Sequence, residues 1–184
     1  MQITETPIAG LLVIEPKVWK DNRGYFYESY NARILAEAGI TGNFVQDNQS
    51  FSQKGALRGM HAQNMPFEQG KLVRVLKGAV LDVAVDIRKA SATYGQHFSI
   101  ELSGENHKQL WVPPGFLHGF LTLEDETIFT YKVTNYYDKA SEIGVMWNDP
   151  DLNINWNREI SEQELILSEK DLILSSFKDF KSPF

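Results

Sequence analysis

Two short segments of the chain carry the residues best suited to chemistry. The first is Gly55-Ala-Leu-Arg58-Gly-Met-His61-Ala-Gln63, and the second is Pro113-Pro-Gly115-Phe-Leu-His118. Their spacing is that of a two-motif barrel metal site, but Gln63 stands where the first motif would supply its second histidine. A site that keeps one histidine beside an arginine indicates acid–base chemistry.

His61 is the leading candidate for a general base, because imidazole has a pKa near neutrality and can both take and return a proton. The alternative is that His61 has a purely structural role, with its ring nitrogen in a hydrogen bond inside the core. Arg58 lies three residues upstream, so on a regular strand it would face away from His61. Gly55 and Gly59 could provide the bend that brings both side chains to one cavity.

A metal site is the second interpretation of these segments. Its ligands would be His61, His118 and Glu68, with Gln63 as a weak substitute, whereas zinc and iron sites usually take three His or carboxylate ligands. The ligand set is incomplete by that standard. We therefore expect His118 to support the site or to bind an anion.

Other polar residues could complete an acid–base site. Tyr131 and Tyr137 are six residues apart on one predicted strand over 127–137, so both would project from the same face, where a phenol can donate a proton and a ring can stack on a flat ligand. Asp171 could fix the tautomer of a catalytic histidine. Possible counter-charges to phosphate or enolate oxygens are Arg23, Arg58, Lys71 and Lys170.

Short strands must position these residues. Alternating hydrophobic patterns over 71–88, 98–102, 110–112, 119–123 and 127–137 are separated by Gly, Pro, Asn and Asp, which is typical of a sandwich or barrel. Helical signals are confined to a short helix near 31–38, capped by Asn31, and one near 161–172, where Ser161 and Glu164 have capping-box form. The pattern predicts an all-β single domain over residues 1–184 with two short helices.

Composition narrows the function classes. The net charge of −6 and the lack of a Lys/Arg block argue against nucleic-acid binding. The chain has no cysteine, which excludes disulfides, thiolate ligands and a cysteine nucleophile. We see no secretory signal or membrane span in the sequence and expect a cytoplasmic protein.

Taken in order, the motifs resemble the dTDP-4-dehydrorhamnose 3,5-epimerase family. The blocks that carry the resemblance are Asp21-x-Arg23-Gly-x-Phe26-x-Glu28, Phe44-Val-Gln46-Asp-Asn48-x-Ser50, Leu57-Arg-Gly-x-His61-x-Gln63, Gly70-Lys-Leu-Val73, Asp82-Val-Ala-Val-Asp-Ile-Arg88, Pro114-Gly-Phe-x-His-Gly-Phe120, Tyr131-Lys-x-Thr-x-Tyr-Tyr137 and Ser168-x-Lys-Asp171. They run from the first strand to near the end of the chain.

The resemblance implies a cupin-like jelly-roll barrel, a homodimer and no metal or organic cofactor. It implies action on dTDP-4-dehydro-6-deoxy-D-glucose in dTDP-L-rhamnose biosynthesis, with His61 as base, Asp171 as its partner, Tyr131 as acid on the opposite ring face and Lys71 stabilising the enolate. The segment over about 1–30 would reach into the partner's site. The implied substrate contacts are Arg23, Phe26, Glu28, Gln46, Asp47, Asn48, Arg58, Gln63, His118, Glu142 and Lys170, with Tyr137 stacking on thymine.

Several alternatives stay open at this point. Within the family, a mono-epimerase would invert one carbon and a 3,4-ketoisomerase would move the carbonyl. Outside it, a metal-dependent cupin would use His61, Glu68 and His118 as ligands, and a non-catalytic cupin would bind the nucleotide sugar without turnover.

Overall fold

Antiparallel β-strands are the main regular structure of the protein. The computed structural model describes residues 1–156 and 160–184. Within them the strands are β1 (Gln2–Glu5), β2 (Leu12–Glu15), β3 (Trp19–Asp21), β4 (Gly24–Phe26), β5 (Gln46–Ser52), β6 (Leu57–Gln63), β7 (Lys71–Lys77), β8 (Ala79–Asp86), β9 (His97–Ser103), β10 (Gln109–Val112), β11 (Phe116–Thr122), β12 (Thr127–Val133) and β13 (Glu142–Gly144). One α-helix, α1 (Ala32–Glu37), lies between β4 and β5, and 3₁₀ turns cover Lys139–Ser141 and Glu162–Glu164.

Two sheets face each other as in a jelly-roll barrel. A six-stranded sheet has the order β1-β2-β10-β7-β12-β5, and a five-stranded sheet has the order β13-β6-β11-β8-β9. β3 and β4 form a separate hairpin. The predicted all-β class is confirmed.

The main core fills the space between the sheets. Val73 and Phe129 of the six-stranded sheet pack there with Val80, Leu102 and Phe120 of the five-stranded sheet. The predicted alternation in β9 is confirmed, since Phe98 and Ile100 pack on the same cluster as Leu102. This core occupies one part of the interior, and a cavity lined by polar and apolar side chains lies beside it.

The C-terminal segment covers the outer face of the five-stranded sheet. Val83, Val85 and Ile87 project to that face, as the period-two pattern in β8 predicts, and Leu165 and Leu167 pack on them in one cluster. Because both faces of this sheet are covered, β8 and β11 are buried on both sides.

The helix expected at 31–38 is confirmed, whereas the one expected at 161–172 is wrong beyond its first turn. Asn31 accepts the N–H groups of Arg33 and Ile34 and so caps α1. Ser161 and Glu164 form the predicted capping box, but the turn ends at Glu164. Ile166 then bridges to Ala56 at the start of β6, where its N–H and C=O bond the main chain of Gly55 and Leu57. These extended pairings replace the helical ones.

The strand expected over 127–137 is also shorter than predicted, because β12 ends at Val133. Tyr131 lies on the strand and Tyr137 on the loop that follows it. Among residues 1–156 and 160–184, no helix is both long enough and apolar enough to cross a membrane.

Candidate active site

A cavity of about 490 Å³ opens between the two sheets. It brings together all four predicted catalytic residues, which come from β6, β7, β12 and the C-terminal segment. The predicted site residues that line it are Arg58, His61, Gln63, Lys71, His118, Tyr131, Tyr137, Glu142, Lys170 and Asp171.

His61 and Asp171 form a close pair in this cavity. Nε2 of His61 lies 2.6 Å from Oδ1 of Asp171 as an ion-pair contact, and neither atom has a hydrogen-bond partner in the described part of the chain. The carboxylate therefore favours the tautomer with its proton on Nε2, which leaves the lone pair on Nδ1 free to act as a base.

Asp171 is itself held in place. Ser168 donates its hydroxyl to Oδ2 at 2.6 Å. Burial alone would raise the pKa of Asp171, but the close contact with His61 and the hydrogen bond from Ser168 outweigh it and the pKa is lowered. The group thus stays ionised and can stabilise an imidazolium on His61.

A β-bulge puts Arg58 and His61 on the same face of β6. In the pairing with β11, His61 is opposite His118 and Arg58 is opposite Phe120, so three steps along β6 match two along β11. Residues directly opposite each other share a face, and His118 and Phe120 are two residues apart. The bend that was expected between Arg58 and His61 is therefore this β-bulge, which lies at Gly59.

Lys71 begins β7 and faces the cavity from the six-stranded sheet. Burial lowers the pKa of Lys71 to about 8, against the opposing effect of the negative charges of Asp82 and Glu142. A partly desolvated ammonium interacts more strongly with a developing oxyanion than a hydrated one does.

His118 is bound to Asp82 on the neighbouring strand. Its Nε2 lies 3.0 and 2.9 Å from the two carboxylate oxygens, and both side chains are buried. His118 therefore lies on the cavity wall as the prediction requires, held by a carboxylate that the sequence analysis did not single out.

Tyr131 reaches the cavity from the six-stranded sheet, opposite the sheet that carries His61. Burial raises the pKa of Tyr131, with Arg58 and Lys170 opposing the shift. The phenol is therefore protonated at neutral pH and can serve as a donor.

Tyr137, Glu142 and Lys170 form a polar group in the same cavity. Lys170 donates to Oε1 of Glu142 at 2.6 Å, and the Tyr137 hydroxyl lies 3.4 Å from Oε2. Burial would raise the pKa of Glu142, but the Lys170 hydrogen bond and the charge of His61 lower it.

The remaining predicted contacts lie outside this cavity. Arg23 and Phe26 are exposed on the β3–β4 hairpin, where Arg23 pairs with Asp21 at 2.6 Å, and Glu28 accepts from Asn31 at 3.0 Å. Asp47 lies on the outer face of β5 and pairs with Lys132 at 2.7 Å.

Gln46 and Asn48 project from the other face of β5. Their side chains bond each other at 2.8 Å, and Asn48 lies opposite Tyr131 on β12. Oε1 of Gln46 also accepts the N–H of Tyr137 at 3.1 Å. These two residues therefore flank the site without lining its cavity.

Sequence reasoning missed several wall residues. Ser50 is the most notable, because its hydroxyl is buried and has no hydrogen-bond partner within the described residues. Its place in the Gln46-x-Asn48-x-Ser50 alternation was a signal that could have found it. Further examples are Ser168, Gln69, Phe120 and Phe129 on the cavity wall and Asp82 behind His118.

The donors that a metal site would need do not converge. No three His, Cys, Asp or Glu side chains of residues 1–156 and 160–184 come together as metal ligands. Glu68 does not line the cavity, and the two histidines turn Nε2 toward Asp171 and Asp82. The arrangement is suited to proton transfer, with a base on one sheet and a cation and a phenol on the other.

Comparisons with known proteins agree with this geometry. Residues 5–179 match the family described as dTDP-4-dehydrorhamnose 3,5-epimerase. The Shigella flexneri dTDP-4-dehydrorhamnose 3,5-epimerase is 49% identical over 180 residues, covering 97% of each chain. The Elizabethkingia anophelis enzyme of that name has a crystal structure with a TM-score of 0.92 at 48% identity, covering 97% of each chain. A Legionella pneumophila dTDP-6-deoxy-D-glucose-3,5-epimerase, solved with dTDP-4-keto-L-rhamnose, has a TM-score of 0.92 at 49% identity, covering 98% of this chain and 94% of its own.

Proposed function

The chain belongs to the dTDP-4-dehydrorhamnose 3,5-epimerase family, and on this premise we propose that it converts dTDP-4-dehydro-6-deoxy-D-glucose to dTDP-4-dehydro-L-rhamnose by inverting C3 and C5. It is accordingly an isomerase. The observation that carries the proposal is the placement of His61 with Asp171 on one side of the cavity and Tyr131 on the opposite sheet.

The chemistry begins at the C4 ketone, which acidifies the protons on C3 and C5. Nδ1 of His61 removes one of these protons, and the electron pair of the C–H bond moves to the C4 oxygen as an enolate. Lys71 stabilises that oxygen with its ammonium, and Asp171 stabilises the imidazolium.

Inversion requires that the new proton arrive from the other face of the sugar ring. Tyr131 supplies it, since a ring held between the sheets would have His61 on one face and the phenol on the other. The same steps then take place at the second carbon, and His61 and Tyr131 exchange protons with water between steps. Because Lys71 provides the positive charge, we propose that the reaction uses no metal or organic cofactor.

We also propose that the protein acts as a homodimer in the cytoplasm, with the N-terminal segment of each chain reaching into its partner's site. Phe26 is 70% accessible and no residue of the β3–β4 hairpin lines the cavity of its own chain, which supports exchange of this segment. In this role Arg23, Phe26 and Glu28 contact the partner's substrate, and the product supplies rhamnose for a lipopolysaccharide or cell-wall polysaccharide.

Deuterium exchange tests the reaction directly. We expect the purified protein, incubated with dTDP-4-dehydro-6-deoxy-D-glucose in deuterated water, to incorporate deuterium at both C3 and C5, followed by NMR. His61→Asn should lower the exchange rate by roughly 10²–10⁴-fold, the usual contribution of a general base.

The other outcomes separate the alternatives. Exchange at one carbon alone would indicate a mono-epimerase, and migration of the carbonyl would indicate a 3,4-ketoisomerase. Binding of the nucleotide sugar without exchange would make the protein a binding module, and the enzymatic proposal would then be abandoned.

A further inference from the structure

Gln63 uses its polar atoms on main-chain groups. Its Nε2 donates to the carbonyl oxygens of Phe67 at 2.5 Å and of Tyr136 at 3.2 Å, and its Oε1 accepts the N–H of Asp138 at 3.0 Å. The side chain is 5% exposed. Because a primary amide has two N–H donors, both are occupied, and Gln63 has no free donor for a substrate.

The bonds of Gln63 fall on the two residues that flank Tyr137. The carbonyl of Tyr136 and the N–H of Asp138 are bound to β6 of the five-stranded sheet through Gln63, while Gln46 of the six-stranded sheet accepts the N–H of Tyr137 itself. Three consecutive residues are thus fixed by two glutamines, one from each sheet.

Tyr137 needs this support because packing does not immobilise it. It lies beyond the end of β12, its side chain is 54% exposed, and its hydroxyl makes one long contact of 3.4 Å with Glu142. A ring that stacks on a base must be held in one orientation before binding, or the cost of ordering it reduces the affinity.

The hydrogen bonds of Gln63 also hold the next segment of the site in position. Asp138 accepts the N–H and the hydroxyl of Ser141 and so caps the turn Lys139–Ser141 that leads into β13. Glu142, which binds Lys170 in the cavity, is the first residue of β13 and pairs with Gln63 in its register.

We propose that Gln63 is a positioning residue for nucleotide recognition, which fixes Tyr137 in the orientation that stacks on the pyrimidine base. This rests on the proposed function, since it takes Tyr137 as the contact to the base. Glutamine is required because its amide provides two donors and an acceptor in one plane. A histidine offers one nitrogen of each kind, and a glutamate offers no donor and places a buried charge against two carbonyls.

Binding of dTDP, measured by calorimetry, tests the proposal. Gln63→Glu should weaken dTDP binding at least about fivefold, because part of the stacking contribution is lost. Under saturating substrate the C3 and C5 exchange rate should fall by a smaller factor than the dTDP affinity, so that the larger part of the loss appears in KM. The control is Gln53→Glu, an exposed position in the turn before β6, where binding should stay as in the wild type.

A double-mutant cycle with Tyr137→Ala decides between positioning and general destabilisation. If Gln63 acts through the Tyr137 ring, Gln63→Glu should have no further effect on dTDP affinity in the Tyr137→Ala background. An equal weakening in both backgrounds, or none in the wild-type background, would overturn the proposal.

A second variant keeps the test valid if Gln63→Glu does not fold. Gln63→Met has a similar volume, carries no charge and removes the same donors, and it should give the same coupling. The deuterium exchange assay on the wild-type protein tests the reaction without any glutamine variant. This inference can therefore fail while the proposed function still holds, and the two failures are distinguishable.

Discussion

His61 and Lys71 depend on the groups that surround them. Asp171 contacts Nε2 of His61 at 2.6 Å and so leaves the other ring nitrogen as the base. Lys71 lies in a partly desolvated position where its pKa is lowered to about 8, while the pKa of Tyr131 is raised. At neutral pH Lys71 is a cation and Tyr131 is a donor, which are the protonation states that enolate chemistry requires.

Epimerisation should therefore fall as the pH rises through about 8, because Lys71 loses its proton there. Tyr131 cannot account for this alkaline decrease in rate, since burial raises its pKa above the ordinary value. The profile of kcat against pH should show the alkaline decrease in the wild type, whereas Lys71→Arg should have a lower overall rate without that decrease, because a guanidinium stays charged. An unchanged decrease in Lys71→Arg would assign it to another group.

Deprotonation of Lys71 has the opposite effect on stability: it lowers activity but increases the contribution of this residue to the free energy of unfolding. Between pH 8 and its ordinary pKa of 10.5, Lys71 is largely neutral in the folded protein and still protonated in the unfolded chain. The unfolded chain then binds more protons, so the contribution of Lys71 to the free energy of unfolding increases over that window. Activity and this part of the stability therefore change in opposite directions.

At the level of elements, strand β6 decides which side chains can meet. A regular strand would send Arg58 and His61 to opposite faces, and the bulge against β11 brings them to one. Gly59 makes the bulge possible. Its φ is +131°, and a Cβ there would lie 2.5 Å from Cα of Gly119 and 3.0 Å from the carbonyl oxygen of His118.

Gly59→Ala should consequently damage both stability and activity. We expect a loss of roughly 3 kcal/mol or more in the free energy of unfolding, the sum of backbone strain and overpacking. We also expect exchange at C3 and C5 to be nearly abolished, because Arg58 and His61 would no longer share a face. Urea unfolding and the deuterium assay measure the two effects.

Gly39→Ala is the matched control. Gly39 also has a positive φ, of +86°, but a Cβ there meets nothing within 4 Å. It should cost roughly 1 kcal/mol from the left-handed backbone and leave exchange intact. A Gly59→Ala variant that behaved like this control would show that the bulge does not position the site.

At the level of the whole molecule, the two-sheet architecture supplies what one sheet cannot. Proton removal and return from opposite ring faces need groups on opposite walls, and the sheets carry His61 and Tyr131 on such walls. The C-terminal segment brings Asp171 and Lys170 into the same cavity, whereas Arg23 on the N-terminal hairpin is left outside it.

Mixing two inactive variants tests whether Arg23 serves the partner's site. Arg23→Glu and His61→Asn should each be inactive alone, and co-refolding them should restore activity. In the mixed dimer the Arg23→Glu chain keeps His61 and receives Arg23 from its partner, so one site is complete. If Arg23 served its own chain, neither site would be complete and the mixture would stay inactive.

The sequence by itself determined much of this protein. Alternating patterns determined the all-β class, because side-chain direction in a strand is a local property with a period of two. Asn31 determined the helix at 32–37, because capping involves neighbouring residues. The ordered motifs identified the family, and they contain every predicted residue that lines the cavity except Glu142.

Only the tertiary structure decided how those residues meet. The shared face of Arg58 and His61 depends on register against β11, and the contact between His61 and Asp171 depends on where the C-terminal segment lies. That segment was predicted to be helical, but its hydrogen bonds go to the start of β6 instead, because a strand edge far away in the sequence was available. The position of Gln63 looked like a lost metal ligand, and its three main-chain bonds show it to be part of the scaffold around Tyr137. Local pattern sets the direction of a side chain, whereas pairing between distant segments sets its neighbours.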